Sequence, residues 1–239
     1  MNVYEIKSVK DRIAGNSYVG RGIILGKTPD ARCAVSAYFI MGRSANSRNR
    51  VFVKHEGDLF TEPFDPSRVE DPSLIIYAAL REVEGGLIVT NGDQTDTIRD
   101  GLSVGKSFSE SLESRSFEPD HPNLTPRISG LITFGKQDFS YQMSILKSAD
   151  PEGSATNRYT FSYAALPALG HFIHTYVCDG NPIPTFQGEP ERVAIPNDID
   201  ELTSEIWDNL DADNRISLYV RYTDITTGEI SERLINKNH

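Results

Sequence analysis

Short apolar segments separated by turn residues run through most of this chain, and they limit the possible folds more than any other feature. Segments 128–134 and 139–147 flank the turn Gly135-Lys136-Gln137-Asp138, which predicts a β-hairpin. Apolar or alternating patterns of the same kind predict further strands at 22–27, 33–41, 51–53, 87–90, 158–164, 171–178, 216–222 and 229–234. Regular alternation of strands with helices is missing, so a parallel nucleotide-binding sheet is not expected.

Three segments carry helix signals. Asp71-Pro72 combines an N-cap residue with proline at the first helical position, which predicts a helix to about Glu84, where Gly85-Gly86 ends it. Ser107 and Glu110 form a capping-box pattern that opens a short helix to about residue 115. Leu202, Ile206 and Leu210 recur every four residues and predict an amphipathic helix. Strands and helices together predict an α+β domain with two packed, mostly antiparallel sheets and helices outside.

A cationic segment, residues 42–50, follows the apolar strand at 33–41. It contains Arg43, Arg48 and Arg50, and no Asp or Glu occurs between residues 31 and 55 of a chain whose formal charge is −10. Segment 51–53 then reads as the return strand of a hairpin, with the arginines near its tip and a connecting loop over 56–70. Arginine binds phosphate and carboxylate groups in a bidentate manner, so an anion site and a solvated hairpin tip are the two interpretations.

Composition narrows the classes of function. A chain of 239 residues with an acidic balance is not expected to bind nucleic acid, because phosphate neutralisation dominates that affinity. No apolar run approaches the roughly 20 residues of a membrane-spanning helix, and the first residues resemble no signal peptide, so we expect a soluble cytoplasmic protein.

Cys33 and Cys178 lie in apolar runs and are interpreted as reduced core residues. His171 and His174 lack zinc-ligand spacing and are interpreted as structural.

Several stretches together resemble one enzyme family. They are residues 18–26, 38–50, 71–77, 91–98 and 123–128. Jointly they are similar to the IMP cyclohydrolase family of the archaeal type, which also has bacterial members. The similarity covers most of the chain from about Tyr18 onward.

The resemblance implies a reaction and a fold. The reaction is the last step of de novo purine synthesis, in which 5-formamidoimidazole-4-carboxamide ribotide closes to IMP with loss of water. The implied fold is a four-layer αββα sandwich of the Ntn-hydrolase-like type, with one domain over 1–239 and an N-terminal extension at 1–17. Catalysis is expected to be non-covalent, without metal, folate or other cofactor. A purine ribonucleotide is the expected partner, and a homo-oligomer is an open expectation.

The resemblance also implies site residues. The family's catalytic arginine, tyrosine and glutamate correspond to Arg48 or Arg50, to Tyr77 and to Glu118. On residue type alone, Tyr77 would be a core aromatic and Glu118 an exposed loop residue. The substrate-binding residues that the resemblance implies are Arg43, Ser44, Asn49, Asn91, Gly92, Asp93, Thr95, Asn123, Thr125 and Arg127.

Other interpretations of the same features remain open. Asp93 and Asp96 are expected to cap the following helix, with cation binding as the alternative. The proline-rich segment 181–196 covers either the site or an oligomer interface. For the whole protein, the alternatives are another Ntn-like amidohydrolase or a catalytically silent purine-nucleotide-binding module.

Overall fold

The strands form two mostly antiparallel sheets, as seen in a computed structural model that describes residues 2–69 and 76–238. The strands are β1 Arg21–Lys27, β2 Cys33–Met41, β3 Val51–His55, β4 Asp58–Glu62, β5 Tyr77–Val83, β6 Gly86–Thr90, β7 Arg127–Phe134, β8 Phe139–Ser148, β9 Thr156–Ala164, β10 Leu169–His174, β11 Glu191–Ala194, β12 Arg215–Asp224 and β13 Ile230–Asn236. The first sheet has the order β11-β10-β1-β2-β12-β13, and the second runs from β3 to β9 in sequence order. The predicted α+β class with two antiparallel sheets is confirmed.

The helices are few and short. They are α1 Lys10–Ile13, α2 Ala45–Arg48, α3 Gln94–Ser103, α4 Phe108–Ser111 and α5 Ile199–Asn209, with a 3₁₀ turn at Pro66–Arg68. Helix α5 packs on β12 and β13 of the first sheet, whereas α3 packs on β5, β6 and β7 of the second. Within the described residues, no helix is long and apolar enough to cross a membrane.

The two sheets pack face to face through one apolar cluster. Ile23, Leu25 and Tyr38 of the first sheet join Val89 and Ile128 of the second in this buried core. A second cluster lies between the first sheet and helices α1 and α5, and a third lies between the second sheet and helices α3 and α4. Apolar burial on both faces of a sheet accounts for the nearly continuous apolar runs of its strands.

The predicted hairpin with the arginines at its tip is wrong. Strand β2 pairs with β1 and β12 in the first sheet, whereas β3 pairs with β4 in the second. The arginine segment carries the chain from one sheet to the other. Ser44 caps the single-turn helix α2, because its side chain accepts a hydrogen bond from the Ser47 N–H, and this turn takes the place of a tight hairpin loop.

The predicted helix from Asp71 to about Glu84 is also wrong over its described part. Residues 77–83 form β5, and Asp71-Pro72 lies outside the described residues. Strand β5 pairs with β4 on one side and with β6 on the other, so sheet pairing outweighs the local helix signal. Gly85, with φ +69°, belongs to the turn between β5 and β6 rather than to the end of a helix.

Smaller differences concern ends and burial. The predicted loop 56–70 contains β4, and the proline-rich segment 181–196 contains β11. Helix α4 ends at Ser111 rather than near 115. Cys33 and Cys178 are free thiols, but their predicted core positions are wrong. Cys178 is exposed because β10 ends at His174, and Cys33, the first residue of β2, is only half-buried. The hairpin of β7 and β8 and the helix around Leu202 are confirmed.

Candidate functional site

A cavity of about 310 Å³ opens where strand ends and loops of both sheets meet. Its lining is mostly polar: Tyr18, Arg21, Arg43, Ser44, Asn46, Ser47, Arg50, Glu118, Asp120, Asn123, Thr125, Tyr176 and Ile183. A larger cavity of about 510 Å³ lies beside α3, but none of its lining residues has a buried, unpaired side-chain nitrogen or oxygen. Buried polar groups without partners are costly and often mark ligand sites. Arg21, Asn46 and Arg50 each have such an atom among the described residues and all three line the smaller cavity, which is therefore the candidate site.

Arg50 lies at the bottom of this cavity. Its side chain is buried, and neither its Nε nor its Nη1 has a hydrogen-bond partner within the described part of the chain. Burial lowers the pKa of Arg50, and the positive charge of Arg21 lowers it further. A guanidinium with unused donors in a cavity can bind an anionic or carbonyl oxygen directly.

Arg21 and Glu118 face each other in the same cavity. The Arg21 Nη2 and Glu118 Oε2 atoms lie 4.0 Å apart, and both side chains are buried. Burial raises the pKa of Glu118, while the positive charges of Arg21 and Arg127 oppose that increase. Burial also opposes the charge of Arg21, but Glu118 and nearby tyrosines together hold the pKa of Arg21 above its usual value.

Tyr77 is the first residue of β5 and contacts the other sheet through its hydroxyl group. The hydroxyl oxygens of Tyr77 and Tyr38 lie 2.9 Å apart, and both side chains are buried. Burial and the neighbouring Tyr77 raise the pKa of Tyr38 well above its usual value. The Tyr77 hydroxyl also lies close enough to Arg21 and Arg50 to affect their pKa values.

Arg48 and Arg50, the two alternatives for the catalytic arginine, point in different directions from segment 42–50. Arg50 points into the cavity with Glu118. Arg48 points away from it: its Nε donates to the Gly42 carbonyl at 3.0 Å and its Nη2 to the Asn214 side chain at 2.8 Å. Arg48 instead lines a separate surface cavity. The structure therefore brings Arg50, rather than Arg48, together with Tyr77 and Glu118.

Four of the predicted substrate-binding residues line the cavity. Arg43 donates from Nη1 to the Gly180 carbonyl at 2.9 Å and to Asp179, and its guanidinium lies 5.2 Å from the centre of the Tyr18 ring. Ser44 begins α2 at the rim of the cavity. The other two are Asn123, which accepts from the Ile183 N–H, and Thr125, which donates to Asp120 and shares a hydrogen bond with Tyr176.

The other predicted binding residues lie outside the cavity lining and make internal contacts. Asn49 pairs with the backbone of Asp65, Asn91 with the backbone of Pro126 and Ile128, and Thr95 with Thr90. Arg127 donates to Gln94 at 2.8 Å and lies 2.7 Å from Asp93, and a Cβ on Gly92 would lie 2.5 Å from Arg127 Nη1. Five of these six residues are linked by hydrogen bonds and close contacts at the start of α3 and β7, whereas Asn49 lies against Asp65.

The expectation that Asp93 and Asp96 cap a helix is wrong. Asp93 stands at the N-cap position of α3, but its side chain makes no capping hydrogen bond. Its carboxylate instead accepts from Arg115 and Arg127. Asp96 lies within α3 and accepts from Arg81 at 2.6 Å. Arginine side chains in reach outweigh the local capping geometry, since charge-assisted hydrogen bonds are the stronger ones.

The sequence analysis assigned no role to Arg21. Its signal was present, because a cation stands at the start of an apolar strand inside the stretch 18–26 that carries the family resemblance. What was missing was the position of its partner Glu118, which is 97 residues away in the chain.

Comparison with known sequences identifies the family of the chain. The sequence model described as IMP cyclohydrolase-like protein matches residues 18–228. The chain belongs to the IMP cyclohydrolase-like family. It is 33% identical over 184 residues to the IMP cyclohydrolase of Methanopyrus kandleri, an alignment that covers 71% of this chain and 89% of the relative.

Two further relatives of the family match shorter parts. The IMP cyclohydrolase of Haloarcula marismortui is 33% identical over 119 residues, covering 48% of this chain and 54% of the relative. That of Methanothrix thermoacetophila is 32% identical over 120 residues, covering 48% of this chain and 58% of the relative. The chain thus spans little more than half the length of these two relatives. The family match includes every residue of the cavity lining and leaves α1 outside.

Proposed function

We propose that this protein is an IMP cyclohydrolase, which closes 5-formamidoimidazole-4-carboxamide ribotide to IMP with loss of water in purine biosynthesis. Membership of the IMP cyclohydrolase-like family supports this function. The single structural observation that carries it is the buried Arg50, whose unused N–H donors lie in one cavity with Glu118 and beside the Tyr77–Tyr38 pair.

The reaction joins two groups of one substrate molecule. The carboxamide nitrogen attacks the formyl carbon and loses a proton, while the formyl oxygen becomes an oxyanion. That oxygen then gains two protons and leaves as water, while the formamido nitrogen loses the second of these protons and forms a C=N double bond to the same carbon. The site must therefore stabilise negative charge on one oxygen and move protons to that oxygen from the two nitrogens.

Arg50 is the group that we assign to the oxyanion. Its N–H groups, which have no partner among the described residues at Nε and Nη1, are fixed donors in a buried site, where preorganised donors stabilise developing charge better than mobile water does. Its buried positive charge is only partly balanced by Glu118, so an anionic transition state gains electrostatic stabilisation there.

Glu118 is the group that we assign to proton transfer. Burial raises its pKa toward the working pH, which suits a carboxyl group that accepts a proton in one step and donates it in the next. Tyr77, supported by its hydrogen bond to Tyr38, can relay a proton or donate to the reacting oxygen. No nucleophile attached to the protein is needed, because the attacking and the accepting groups both belong to the substrate.

The remaining lining residues are assigned to the nucleotide. Arg43 and Ser44 at the rim are proposed to meet the 5′-phosphate, and Asn123 and Thr125 to meet the ribose or the base. The six predicted binding residues outside the lining, Asn49, Asn91, Gly92, Asp93, Thr95 and Arg127, are proposed to act by holding these loops. Arg48 stays the alternative to Arg50, although its donors are used by Gly42 and Asn214.

The finer description of the fold belongs to the same proposal. Apolar clusters between the sheets and under the helices are consistent with four αββα layers of the Ntn-hydrolase-like type. One domain over 1–239 with an extension at 1–17, assembly into a homo-oligomer and a cytoplasmic location remain predictions.

The test is an assay of purified protein with the formylated ribotide and without folate, in which IMP formation is followed by ultraviolet absorbance. We expect turnover by the wild type and losses in Arg50→Ala, Tyr77→Phe and Glu118→Gln. Full activity in all three variants would show that the assigned site is wrong. Binding of the ribotide without turnover would favour a silent nucleotide-binding module. If the ribotide is neither bound nor converted and another amide is hydrolysed, the protein would be a different amidohydrolase.

A further inference from the structure

Arg21 is a buried cation for which the proposed mechanism has no task. It is 7% exposed, it lines the cavity, and its Nε has no hydrogen-bond partner among the described residues. An isolated buried charge is expensive, and among residues 2–69 and 76–238 Glu118 is the carboxylate within ion-pair distance of Arg21.

The backbone around Arg21 holds the residue firmly. Its N–H donates to the Thr175 side chain at 3.1 Å, and its carbonyl accepts from the Thr175 N–H at 3.0 Å. Gly20 directly before it has φ +78°, and a Cβ there would lie 2.1 Å from the Thr175 side-chain oxygen. The start of β1 is therefore fixed against the end of β10, which sets the direction from which the guanidinium enters the cavity.

Glu118 is held less tightly by its own loop. Its N–H donates to the Thr125 carbonyl at 2.9 Å, which fixes the backbone. The other charged groups that act on the Glu118 carboxyl are Arg127 from β7, Arg50 from the arginine segment and Asp120 from the same loop. Arg127 already pairs with Asp93 and Gln94, and Arg50 has been assigned to the substrate. Arg21 is thus the cation left to hold the carboxylate of Glu118.

We infer that Arg21 is a positioning residue, which holds Glu118 in place and sets the pH at which this carboxyl group loses its proton. The inference rests on the role proposed above for Glu118. Arg21 acts through Glu118, with no contact to the reacting atoms required. The separation of 4.0 Å permits an ion pair that can tighten or loosen as Glu118 gains and loses a proton.

The primary test is carbon-13 NMR titration of the Glu118 carboxyl carbon in the free protein, assigned with the Glu118→Gln variant. We expect Arg21→Met to raise the pKa of Glu118 by roughly 1 to 3 pH units, the size of effect of an opposite charge at this range. Arg21→Lys should keep the pKa close to that of the wild type. The matched control is Arg32→Met, which removes an exposed arginine paired with Asp224 and should change nothing at Glu118.

An unchanged Glu118 titration in Arg21→Met would overturn the inference, as would an equal shift in Arg32→Met. If Arg21→Met fails to fold, Arg21→Lys decides by kinetics. A compact ammonium cannot reproduce the planar guanidinium, so we expect a lower kcat with little change in KM. A raised KM with an unchanged kcat would contradict a positioning role. A wild type without turnover would reject the proposed function, whereas the NMR titration would still decide the role of Arg21.

Discussion

The hydroxyl oxygens of Tyr38 and Tyr77 lie 2.9 Å apart and join the two sheets at the candidate site. Tyr38 is in the middle of β2, and Tyr77 is the first residue of β5. Both are buried, and within the described part of the chain each hydroxyl has the other as its hydrogen-bond partner. Tyr77, which also lies near both buried arginines, is thereby held in one orientation.

We therefore expect Tyr77→Phe to lower the rate of ring closure by about 10²–10⁴-fold, the usual contribution of a proton-transferring group. Tyr38→Phe removes only the supporting hydrogen bond, so a loss of about 10-fold or less is expected. Single-turnover kinetics with saturating enzyme measures both. The matched control is Tyr219→Phe, which removes a buried hydroxyl bonded to Glu232 on the neighbouring strand and should leave the rate unchanged. A larger loss in Tyr38→Phe than in Tyr77→Phe would contradict this order.

Substitution of Arg50 should lower kcat far more than substitution of Arg48. Arg50→Met removes the proposed oxyanion donor, and a loss of about 10²–10³-fold in kcat is expected. Arg48→Met removes donors already used by Gly42 and Asn214, so kcat should stay within a few-fold of the wild type. The measurement is steady-state kinetics with the formylated ribotide. The reverse order would transfer the catalytic role to Arg48.

The same Arg50→Met variant should be more stable than the wild type. Arg50 carries a buried charge whose Nε and Nη1 atoms have no partner in the described chain, and an apolar side chain of similar size avoids that cost. We expect the free energy of unfolding, measured in urea, to rise by about 1 kcal/mol or more. A clear decrease would indicate that the guanidinium stabilises the fold, which would weaken the case that it is reserved for a ligand.

Glu118 should make stability depend on pH in a defined direction. Burial raises its folded-state pKa above the usual 4.5, so the folded protein binds the proton more tightly than the unfolded chain. Its contribution to stability is therefore complete below pH 4.5 and is lost as pH rises through the folded-state pKa. Glu118→Gln removes this dependence, so the variant should gain stability relative to the wild type as pH rises. Urea titrations from acidic to neutral pH test this, and a constant difference between the two proteins would contradict it.

Much of the fold follows from local pattern. The hairpin of β7 and β8, the capping box at Ser107 and the four-residue period of α5 are each encoded in one short continuous stretch of sequence, and all three are confirmed. Strand β5 fails the same approach, because its neighbours β4 and β6 decide its structure. The crossing of the arginine segment between the sheets was also missed, because β2 pairs with β1 and β12 whereas β3 pairs with β4, and no local pattern shows that β2 and β3 belong to different sheets.

The candidate site was predictable in its residue types more than in its geometry. Arg50, Tyr77 and Glu118 carry signals in the sequence through the family resemblance. The sequence carries no signal for the direction in which each arginine side chain points at the turn α2. This direction decides that Arg50 lines the cavity and Arg48 does not. Arg21 required the ion pair with a distant loop to be seen.

A buried histidine outside the cavity lining should make the stability of the fold sensitive to acid. Burial, with help from the charge of Arg192, lowers the pKa of His171 to about 4, and its ring shares a 2.8 Å hydrogen bond with Tyr141 and stacks on Tyr163. Because the unfolded chain binds this proton near pH 6.5, the contribution of neutral His171 is complete above pH 6.5 and is lost as pH falls through about 4. The wild type should therefore lose about 2–3 kcal/mol of unfolding free energy over this range from this residue alone. His171→Gln should remove that part of the slope in urea titrations, while His55→Gln, at an exposed histidine, should keep it. Equal slopes in the wild type and His171→Gln would show that His171 is not the titrating group.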